Sequence, residues 1–465
     1  MIDLVMEFDS HSGRHLYEQI YDHIKEEIRK GHLRCGERLP STRMLANYLQ
    51  VSRSTVDMAY EQLLSEGYLE SRPYKGFFVC KIEELYHLKA SVYQKSEYTL
   101  QKPKRAPYDF SPNVVELGSF PFGTWKKITK ETLIDDRKEM FALGHPQGDM
   151  ELRISISHYL HTSRGVNCTP EQIIVGAGND YLLLLLEKIL GRNICVALEN
   201  PTYKRAYRIF QSFGYRVKVV PMDESGMCVD ALHESEADLA YVMPSHQFPT
   251  GVVMPIGRRL ELLRWAAGEE QRYLIEDDYD SEFRYRGKPI PSLQASDHAD
   301  KVIYIGTFSK AIAPAIRISY MVLPQRLLAR YWERCVFFSS TVSRIDQSVL
   351  NVFIRDGAFE RHLNKMRKIY KSRHDTLLAC CRNYLSQVTI SGENSGLHLI
   401  LRYHGEKTEE ELLRLAGEKG VRLYGMSDSY IGRLPENWQP ALILGYAGLQ
   451  ESEIETGIRI LSDCI

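Results

Sequence analysis

The sequence has almost no net charge, since 59 lysines and arginines face 60 aspartates and glutamates across 465 residues. A chain with a formal net charge of -1 has no overall attraction to nucleic acid or to a membrane surface, so any basic patch must be local. No run of 18 or more apolar residues occurs, which argues against a membrane-spanning helix. The opening stretch MIDLVMEFDS is acidic and carries no targeting leader, so we expect a cytoplasmic protein with no membrane partner.

Cysteine pairs at metal-binding or redox spacing are also absent. The nine cysteines are scattered, and none forms a C-x-x-C pair. Disulfide frameworks and zinc sites need clustered cysteines, so we predict reduced thiols and no metal site. The remaining composition is that of an ordinary globular protein, 44% apolar and 26% charged, with enough length for two or three domains.

Residues 10–80 have the pattern of a small helical domain that ends in a hairpin. Apolar residues recur every four positions through LYEQIYDHIKEEIRKG, which predicts an amphipathic helix closed by Gly31. Ser41 and Ser52 each precede a further helical pattern and suit the N-cap position, with a turn near Val51 between the two helices. This spacing predicts a helix-turn-helix. Two β-rich runs in GYLESRPYKGFFV predict a small hairpin, or wing, after it.

Lysines and arginines concentrate in this segment. Between Arg29 and Thr55 there are six of them against one acid, Glu37. In a winged helix, the second helix of the motif enters the major groove of double-stranded DNA by its N-terminal end, and we expect the wing to contact the backbone. Arg53 is the best candidate for a forked contact to guanine. Because one module grips little DNA, we expect a dimer on an operator with repeated half-sites. The predicted DNA-binding residues are Arg43, Ser52, Arg53, Ser54, Thr55, Lys75 and Gly76.

The rest of the chain has the pattern of an α/β domain. Residues 81–108 are polar and irregular, and we interpret them as a linker. Over 109–465, apolar strands alternate with amphipathic helices, which predicts a mostly parallel sheet, with a smaller α+β lobe over about 357–465. Ligands sit beyond the carboxyl ends of parallel strands, so polar groups that follow the strands should converge on one site. Five predicted strands lead into such groups, which are GAGND, ENPTY, PSHQFPTG, EDDYD and GTFSK.

Lys310, in the last of these groups, is the candidate nucleophile. A lysine with a lowered pKa forms a Schiff base with an aldehyde, and pyridoxal 5'-phosphate needs such a lysine, an acid for its ring nitrogen and donors for its phosphate. Either Asp277 or Asp278 can serve as the acid. A metal site at EDDYD finds no histidine or further acid at a spacing that completes it. Backbone N–H groups at a helix start and an arginine fork suit the phosphate. The residues predicted for it are Ala177, Gly178, Asn179, Ser309 and Arg317.

Several longer strings together resemble known families. They are LPSTRMLANYLQVSRSTV, PQGDMELRISISHYLHTSRGV, ENPTYKRAY, PSHQFPTG, IEDDYDSEFRY and SKAIAPAIR. Residues 10–80 resemble the winged-helix domain of GntR-type repressors, and residues 109–465 resemble the fold-type I aminotransferases. In this order the two resemble the MocR subfamily of GntR-type transcription regulators, and the resemblance covers almost the whole chain. It implies a head-to-tail homodimer that binds pyridoxal 5'-phosphate.

The resemblance also implies roles for single residues. Lys310 would carry the cofactor aldimine, Asp277 would face the pyridine nitrogen, and Tyr279 would reach the phenolic oxygen. Tyr203 would stack on the ring, and Arg205 would lie near the incoming ligand. Ser309 and Arg317 would hold the phosphate.

Two positions depart from the aminotransferase pattern. The arginine expected four residues before Ala447 is replaced by Ile443, and Arg205 or Arg433 are the candidates to take over its contact with a ligand carboxylate. The asparagine expected before Pro249 is replaced by Phe248. His246 or Gln247 then either supplies a polar contact to the cofactor or has a purely structural role. Both departures concern the substrate, so we expect cofactor binding without efficient transamination.

We therefore expect a transcription regulator that senses pyridoxal 5'-phosphate, or an amine or amino acid, through aldimine exchange at Lys310, and that is not an enzyme. An aminotransferase with an accessory N-terminal module is the alternative. A regulator whose second domain is a relic that binds nothing is a third possibility.

Overall fold

The structure is a computed structural model, and it describes residues 6, 8–9, 13–81, 106–134, 138–285, 287 and 289–465. The chain divides into two compact units, Met1–Lys102 and Pro103–Ile465. Residues 82–105 of the predicted linker and residues 10–12 of the predicted DNA-binding domain lie outside the described residues. The domain boundaries therefore stay predictions.

The described residues of the first unit form a helical domain with a β-hairpin. Its elements are α1 (Leu16–Arg29), α2 (Thr42–Leu49), α3 (Arg53–Ser65), β1 (Leu69–Arg72) and β2 (Gly76–Val79). The Ser41 hydroxyl accepts the Met44 N–H at 3.2 Å and the Ser52 hydroxyl accepts the Thr55 N–H at 3.2 Å, so both serines cap helices as predicted. β1 and β2 pair antiparallel and form the predicted wing.

The core of this unit lies between α1 and α3. Ile24 of α1 and Val56 and Leu63 of α3 are each at most 1% exposed. Met44 of α2 is apolar but 58% exposed. The eight-residue helix α2 is too short to bury a wide face, and it directs Leu45 inward rather than Met44.

The second unit is built on a large mixed sheet. Its elements before the small lobe are β3 (Tyr108–Asp109), α4 (Phe122–Ile134), α5 (Met150–Arg164), β4 (Ile173–Gly176), α6 (Asn179–Leu190), β5 (Cys195–Asn200), α7 (Lys204–Ser212), β6 (Arg216–Asp223), β7 (Gly226–Met227), α8 (Val229–Glu234), β8 (Leu239–Val242), α9 (Ile256–Ala267), β9 (Tyr273–Asp278), β10 (Val302–Thr307), β11 (Ser319–Val322), α10 (Gln325–Arg334) and α11 (Arg344–Arg355). The strand order is β4-β11-β10-β9-β8-β5-β6-β7. The five strands from β10 to β6 in this order are parallel, whereas β11 runs antiparallel to β10 and to β4.

Both faces of this sheet are covered by apolar side chains. Along β5, Val196 and Leu198 pack into one buried cluster, whereas Cys195 and Ala197 pack into another. Burial on both faces explains why the strands read as apolar runs instead of alternating with polar residues. None of the described helices is long and apolar enough to cross a membrane.

The small lobe follows the large sheet in the chain. Its elements are α12 (Ala358–Tyr384), β12 (Val388–Ser391), β13 (His398–Tyr403), α13 (Glu409–Glu418), β14 (Val421–Arg422), β15 (Tyr424–Gly425), β16 (Ala441–Gly445) and α14 (Glu451–Ser462). Its sheet has the order β12-β13-β16-β15, with Ile443 between Ile400 and Tyr424. β14 pairs with β3, which begins at the last residue of the predicted linker, and the sequence did not predict this pairing.

Candidate cofactor site and nucleic-acid interface

A cavity of about 540 Å³ opens at the carboxyl ends of β4, β5, β9 and β10. All five polar groups that follow the predicted strands contribute at least one side chain to its wall, as open α/β sheets predict. The sequence-predicted residues on this wall are Asn179, Tyr203, Arg205, Asp277, Tyr279, Ser309, Lys310 and Arg317. The structure thus brings together most of the predicted cofactor residues.

Lys310 lies just after the end of β10, on the wall of the cavity. Its Nζ donates a hydrogen bond to the Pro112 carbonyl oxygen at 2.7 Å. Burial lowers the pKa of the Lys310 amine to about 8, and the nearby negative charge of Asp280 opposes this change only in part. Near pH 8 a large fraction of the Lys310 amines is therefore neutral. The neutral amine is the nucleophilic form.

The two acids that the sequence left as alternatives face opposite sides of β9, because successive side chains of a strand point in opposite directions. Asp277 lines the cavity, where it accepts hydrogen bonds from the Tyr241 hydroxyl and from the Asn179 amide, the latter at 3.3 Å. Burial raises the pKa of Asp277 to about 7, and the two hydrogen bonds lower it only in part.

Asp278 belongs to a separate buried network. Its Oδ2 accepts hydrogen bonds from Arg164 Nε at 2.8 Å and from the Tyr304 hydroxyl at 2.5 Å. The Arg164 and Asp278 side chains are 5% and 1% exposed, so this ion pair is desolvated and structural. Of the two acids, Asp277 is therefore the one available to a ligand in the cavity.

The start of α6 and Arg317 form a polar end of the cavity. Gly178 has φ +92°, and a side chain there would collide with the Arg317 guanidinium, so the glycine permits a close approach. Not every predicted phosphate donor is available. The Ala177 N–H donates to Thr341 Oγ1 at 3.0 Å and the Gly178 N–H donates to the Gly176 carbonyl at 2.9 Å. Neither of these two residues is on the cavity wall.

Asp180 links two arginines at the same end. It accepts a hydrogen bond from Arg205, and its Oδ2 lies 3.5 Å from Arg317 Nη2. The Arg205 and Arg317 side chains are 57% and 51% exposed, so both can reorient toward an anion. Arg433, the other candidate for a ligand carboxylate, is exposed and is not on the cavity wall.

Besides Tyr241, three aromatic rings border the cavity, those of Tyr203, Phe248 and Tyr279. Tyr203 and Phe248 meet edge to face, with ring centroids 5.8 Å apart, and Phe248 lies 6.4 Å from the Tyr279 ring. Burial raises the pKa of both tyrosine hydroxyls, so they stay protonated and can donate hydrogen bonds.

His246, which we predicted as a cofactor ligand, lies behind this wall. It is 1% exposed, and its Nδ1 is 3.0 Å from Asp280 Oδ2 and 3.0 Å from the Tyr279 hydroxyl. The side-chain amide of its neighbour Gln247 donates to the Pro201 carbonyl at 2.9 Å. The Gln247 Oε1 accepts a hydrogen bond from the Thr250 hydroxyl, which closes the turn between them. Of the residues around this turn, Phe248 is on the cavity wall, whereas His246 and Gln247 are not, and His246 contacts the wall residue Tyr279.

Sequence reasoning did not predict several residues that line the cavity, four of which bear on its chemistry. Pro112, Tyr241, Asp180 and Phe248 all line the cavity. Asp180 was detectable, since it belongs to the GAGND group. Pro112 and Tyr241 carry no local signal, because each is brought to the site by pairing of distant segments.

In the first unit, the predicted DNA-binding residues lie at the start of α3 and at the wing, apart from Arg43, which lies in α2. Arg53 is 68% exposed and lies 3.5 Å from Asp57, one helical turn away. Lys75 is exposed at the wing, where Gly76 has φ +101°. Ser52 is exposed, but its hydroxyl already caps α3. The remaining three, Arg43, Ser54 and Thr55, are exposed or partly exposed.

Comparison with known proteins agrees with a two-part chain. Residues 16–79 match the family described as bacterial regulatory proteins, gntR family, and residues 110–460 match aminotransferase class I and II. The chain is 41% identical to the uncharacterised HTH-type transcriptional regulator YdeL of Bacillus subtilis, over 96% of each chain. It is 34% identical to the probable rhizopine catabolism regulatory protein MocR of Rhizobium meliloti, over 96% of this chain and 93% of that one. The multiple substrate aminotransferase of Thermococcus profundus has the same fold, with a TM-score of 0.68 and 24% identity over 83% of this chain and 97% of that one.

These matches define a helix-turn-helix transcription regulator with a fold-type I aminotransferase-like domain. The chain belongs to the MocR-type members of the GntR family of bacterial regulators. The resemblance and the fold class inferred from the sequence are confirmed, and the regulator is supported over the aminotransferase with an accessory module.

Proposed function

We propose that this regulator binds pyridoxal 5'-phosphate in the cavity of its second unit and responds there to the cofactor itself, a small amine or an amino acid. The observation that carries the proposal is that Lys310, Asp277 and Arg317 lie on the wall of one cavity. An amine, an acid and a guanidinium match the aldehyde, the ring nitrogen and the phosphate of this cofactor.

Asp277 supports this fit. It is a buried acid whose hydrogen-bond partners, Tyr241 and Asn179, are both neutral. Its raised pKa, about 7, reflects the cost of a charge without a cation beside it. A protonated ring nitrogen next to Asp277 would supply that cation and would favour the charged form of both groups.

Lys310 would hold the cofactor by a reversible covalent bond. When bound, pyridoxal phosphate supplies an aldehyde that primary amines attack with release of one water molecule. The neutral Lys310 amine would be the group that holds this aldehyde, and an incoming primary amine would compete with it and leave Lys310 as a free amine. The displaced amine has an acceptor in reach, the Pro112 carbonyl at 2.7 Å. Since Pro112 follows soon after the predicted linker, this hydrogen bond offers a way to report the exchange along the chain.

We further propose that the regulator acts on double-stranded DNA as a homodimer. Arg43, Arg53 and Lys75 are exposed on the first unit, where they suit phosphate and base contacts. The second unit exposes large apolar side chains that a partner copy can cover, among them Phe122, Phe141, Leu143 and Phe337. A ligand shifts the dimer between arrangements only by binding one of them more tightly.

The cofactor assignment is tested by absorbance. We expect wild type mixed with pyridoxal phosphate to gain a visible band that survives desalting, because Lys310 holds the cofactor covalently. Lys310→Ala should lose the band, and Lys368→Ala, at an exposed lysine of α12, should keep it. A band that persists in Lys310→Ala contradicts the assignment. Steady turnover with an amino donor and an oxo acid supports an aminotransferase instead.

The DNA assignment is tested by footprinting and binding assays on the DNA flanking the protein's own gene, with and without pyridoxal phosphate and candidate amines. Arg53→Ala should weaken specific binding by about 1–3 kcal/mol if Arg53 reads a guanine. Arg29→Ala is the matched control at the far end of α1. Unchanged affinity and salt dependence in Arg53→Ala would show that the groove assignment is wrong.

A further inference from the structure

Phe248 separates the cavity from a second apolar cluster. One side of its ring lines the cavity, and the residue also packs against buried side chains of the small lobe. The other members of this cluster are Ile400, Met426, Ala441 and Ile443, with Tyr424, Tyr430 and Trp438 around them. The side of Phe248 that faces away from the cavity therefore packs on a mainly apolar cluster.

This wall is held in place from several directions. The Phe248 ring lies 5.4 Å from the His398 ring and 5.8 Å from the Tyr203 ring, both near perpendicular. The segment that carries Tyr430 is tied to the end of β5, since the Ile431 N–H donates to Asn200 Oδ1 at 3.0 Å. These neighbouring rings pack against Phe248 and restrict the positions that its side chain can take.

Each cationic side chain on the described part of the cavity wall already has a proposed partner. Its cations are Arg205, Lys310 and Arg317, and its acids are Asp180 and Asp277. Arg317 suits the phosphate, Lys310 the aldehyde, and Arg205 is in an ion pair with Asp180. A ligand carboxylate would therefore have to compete with Asp180 for the exposed Arg205, whereas the wall at Phe248 offers it no charged partner.

We propose that the ligand sensed at this site is a primary amine with an apolar end and without a carboxylate, and that Phe248 is the residue that selects it. The inference rests on the proposed cofactor, since the amine must reach the aldehyde carbon that Lys310 otherwise holds. The amine nitrogen then takes the place of the Lys310 nitrogen, and its apolar end packs on Phe248. An α-amino acid of the same shape carries a charge that this wall leaves unpaired.

The test compares amines with the amino acids that differ from them by one carboxylate. The full chain loaded with pyridoxal phosphate is titrated with 2-phenylethylamine and L-phenylalanine, and with 3-methylbutylamine and L-leucine, and the absorbance change gives half-saturation concentrations. We expect each amine to act at a concentration at least about tenfold lower than its amino acid, which corresponds to about 1.4 kcal/mol. Phe248→Asn should reduce this ratio to about threefold or less, and Phe248→Leu, which stays apolar, should restore it.

The outcomes separate this inference from the proposed function. Absence of a Lys310-dependent band shows that the cofactor assignment has failed, and the inference fails with it. With the band present, amino acids that act as well as their amines overturn the inference alone, as does a lack of response to all four compounds. A preference for amines that Phe248→Asn leaves intact overturns the role of Phe248. If Arg205→Gln abolishes the response to the amino acids but not to the amines, carboxylates bind at Arg205, and the claim that the wall rejects them is wrong.

Discussion

Replacing Asp277 by asparagine should change the stability of the empty protein and its affinity for pyridoxal phosphate in opposite directions. Burial raises the pKa of Asp277 from 3.8 to about 7. A pKa raised in the folded state contributes stability that is present at low pH and is lost as pH rises through about 7. At 1.36 kcal/mol per pH unit, the ionised side chain costs about 4 kcal/mol at pH 8.

The asparagine variant has no such charge. Because part of this loss already occurs between pH 3.8 and pH 5, the free energy of unfolding of the empty wild type should fall relative to that of Asp277→Asn by about 2.5 kcal/mol between pH 5 and pH 8. Comparing the two proteins removes the opposite pH dependence of Lys310, whose pKa is lowered in both. Denaturant unfolding followed by circular dichroism at the two pH values measures the difference.

Cofactor affinity should change the other way. Removing one member of a buried charge pair costs about 3–5 kcal/mol, so Asp277→Asn should bind pyridoxal phosphate roughly 100-fold more weakly or worse at pH 8. Titration of absorbance with the cofactor measures this loss. Unchanged affinity in Asp277→Asn would refute the placement of the ring nitrogen beside this carboxylate.

Asp278→Asn is the matched control on the same strand. It removes the partner of the buried Arg164 guanidinium, which lies 2.8 Å away. The folded protein should therefore lose about 3–5 kcal/mol of stability, while the folded fraction keeps its affinity for pyridoxal phosphate. If Asp278→Asn and not Asp277→Asn loses the cofactor, the two acids have been assigned to the wrong roles.

Three further predictions concern Lys310, Gly178 and Ser52. Because the pKa of Lys310 is about 8, the neutral fraction of its amine grows with pH. The rate of cofactor binding, measured by stopped flow, should therefore rise about tenfold per pH unit below pH 8 and level off above it. A rise that continues to pH 10 would contradict this prediction. Gly178→Ala places a methyl group against the Arg317 guanidinium at φ +92° and should weaken cofactor binding at least about tenfold, whereas Gly417→Ala, at a helical position with open space, should not. Ser52→Ala removes the cap of α3 and should destabilise the first unit by about 1 kcal/mol in thermal melts.

Much of the fold could be predicted because its signals are local. Ser41 and Ser52 mark the starts of α2 and α3, since a cap and its N–H partner are three residues apart. The convergence of the polar strand ends also followed from the chain, because parallel strands bring their carboxyl ends to one edge. The pairing of β14 with β3 did not follow, since its two segments lie more than 300 residues apart and neither carries a pattern that names the other.

The sequence by itself determined which chemical groups meet at the cavity, including Lys310 and an acid of the EDDYD group. Only the tertiary structure decided that Asp277 faces the cavity while Asp278 faces Arg164, and that Tyr241 from the adjacent strand donates a hydrogen bond to Asp277. It also decided that Phe248 forms the wall where His246 was expected. The physical reason is that the sequence shows directly which residue types follow each strand. The direction and the partner of each side chain depend instead on strand order and on packing against distant segments.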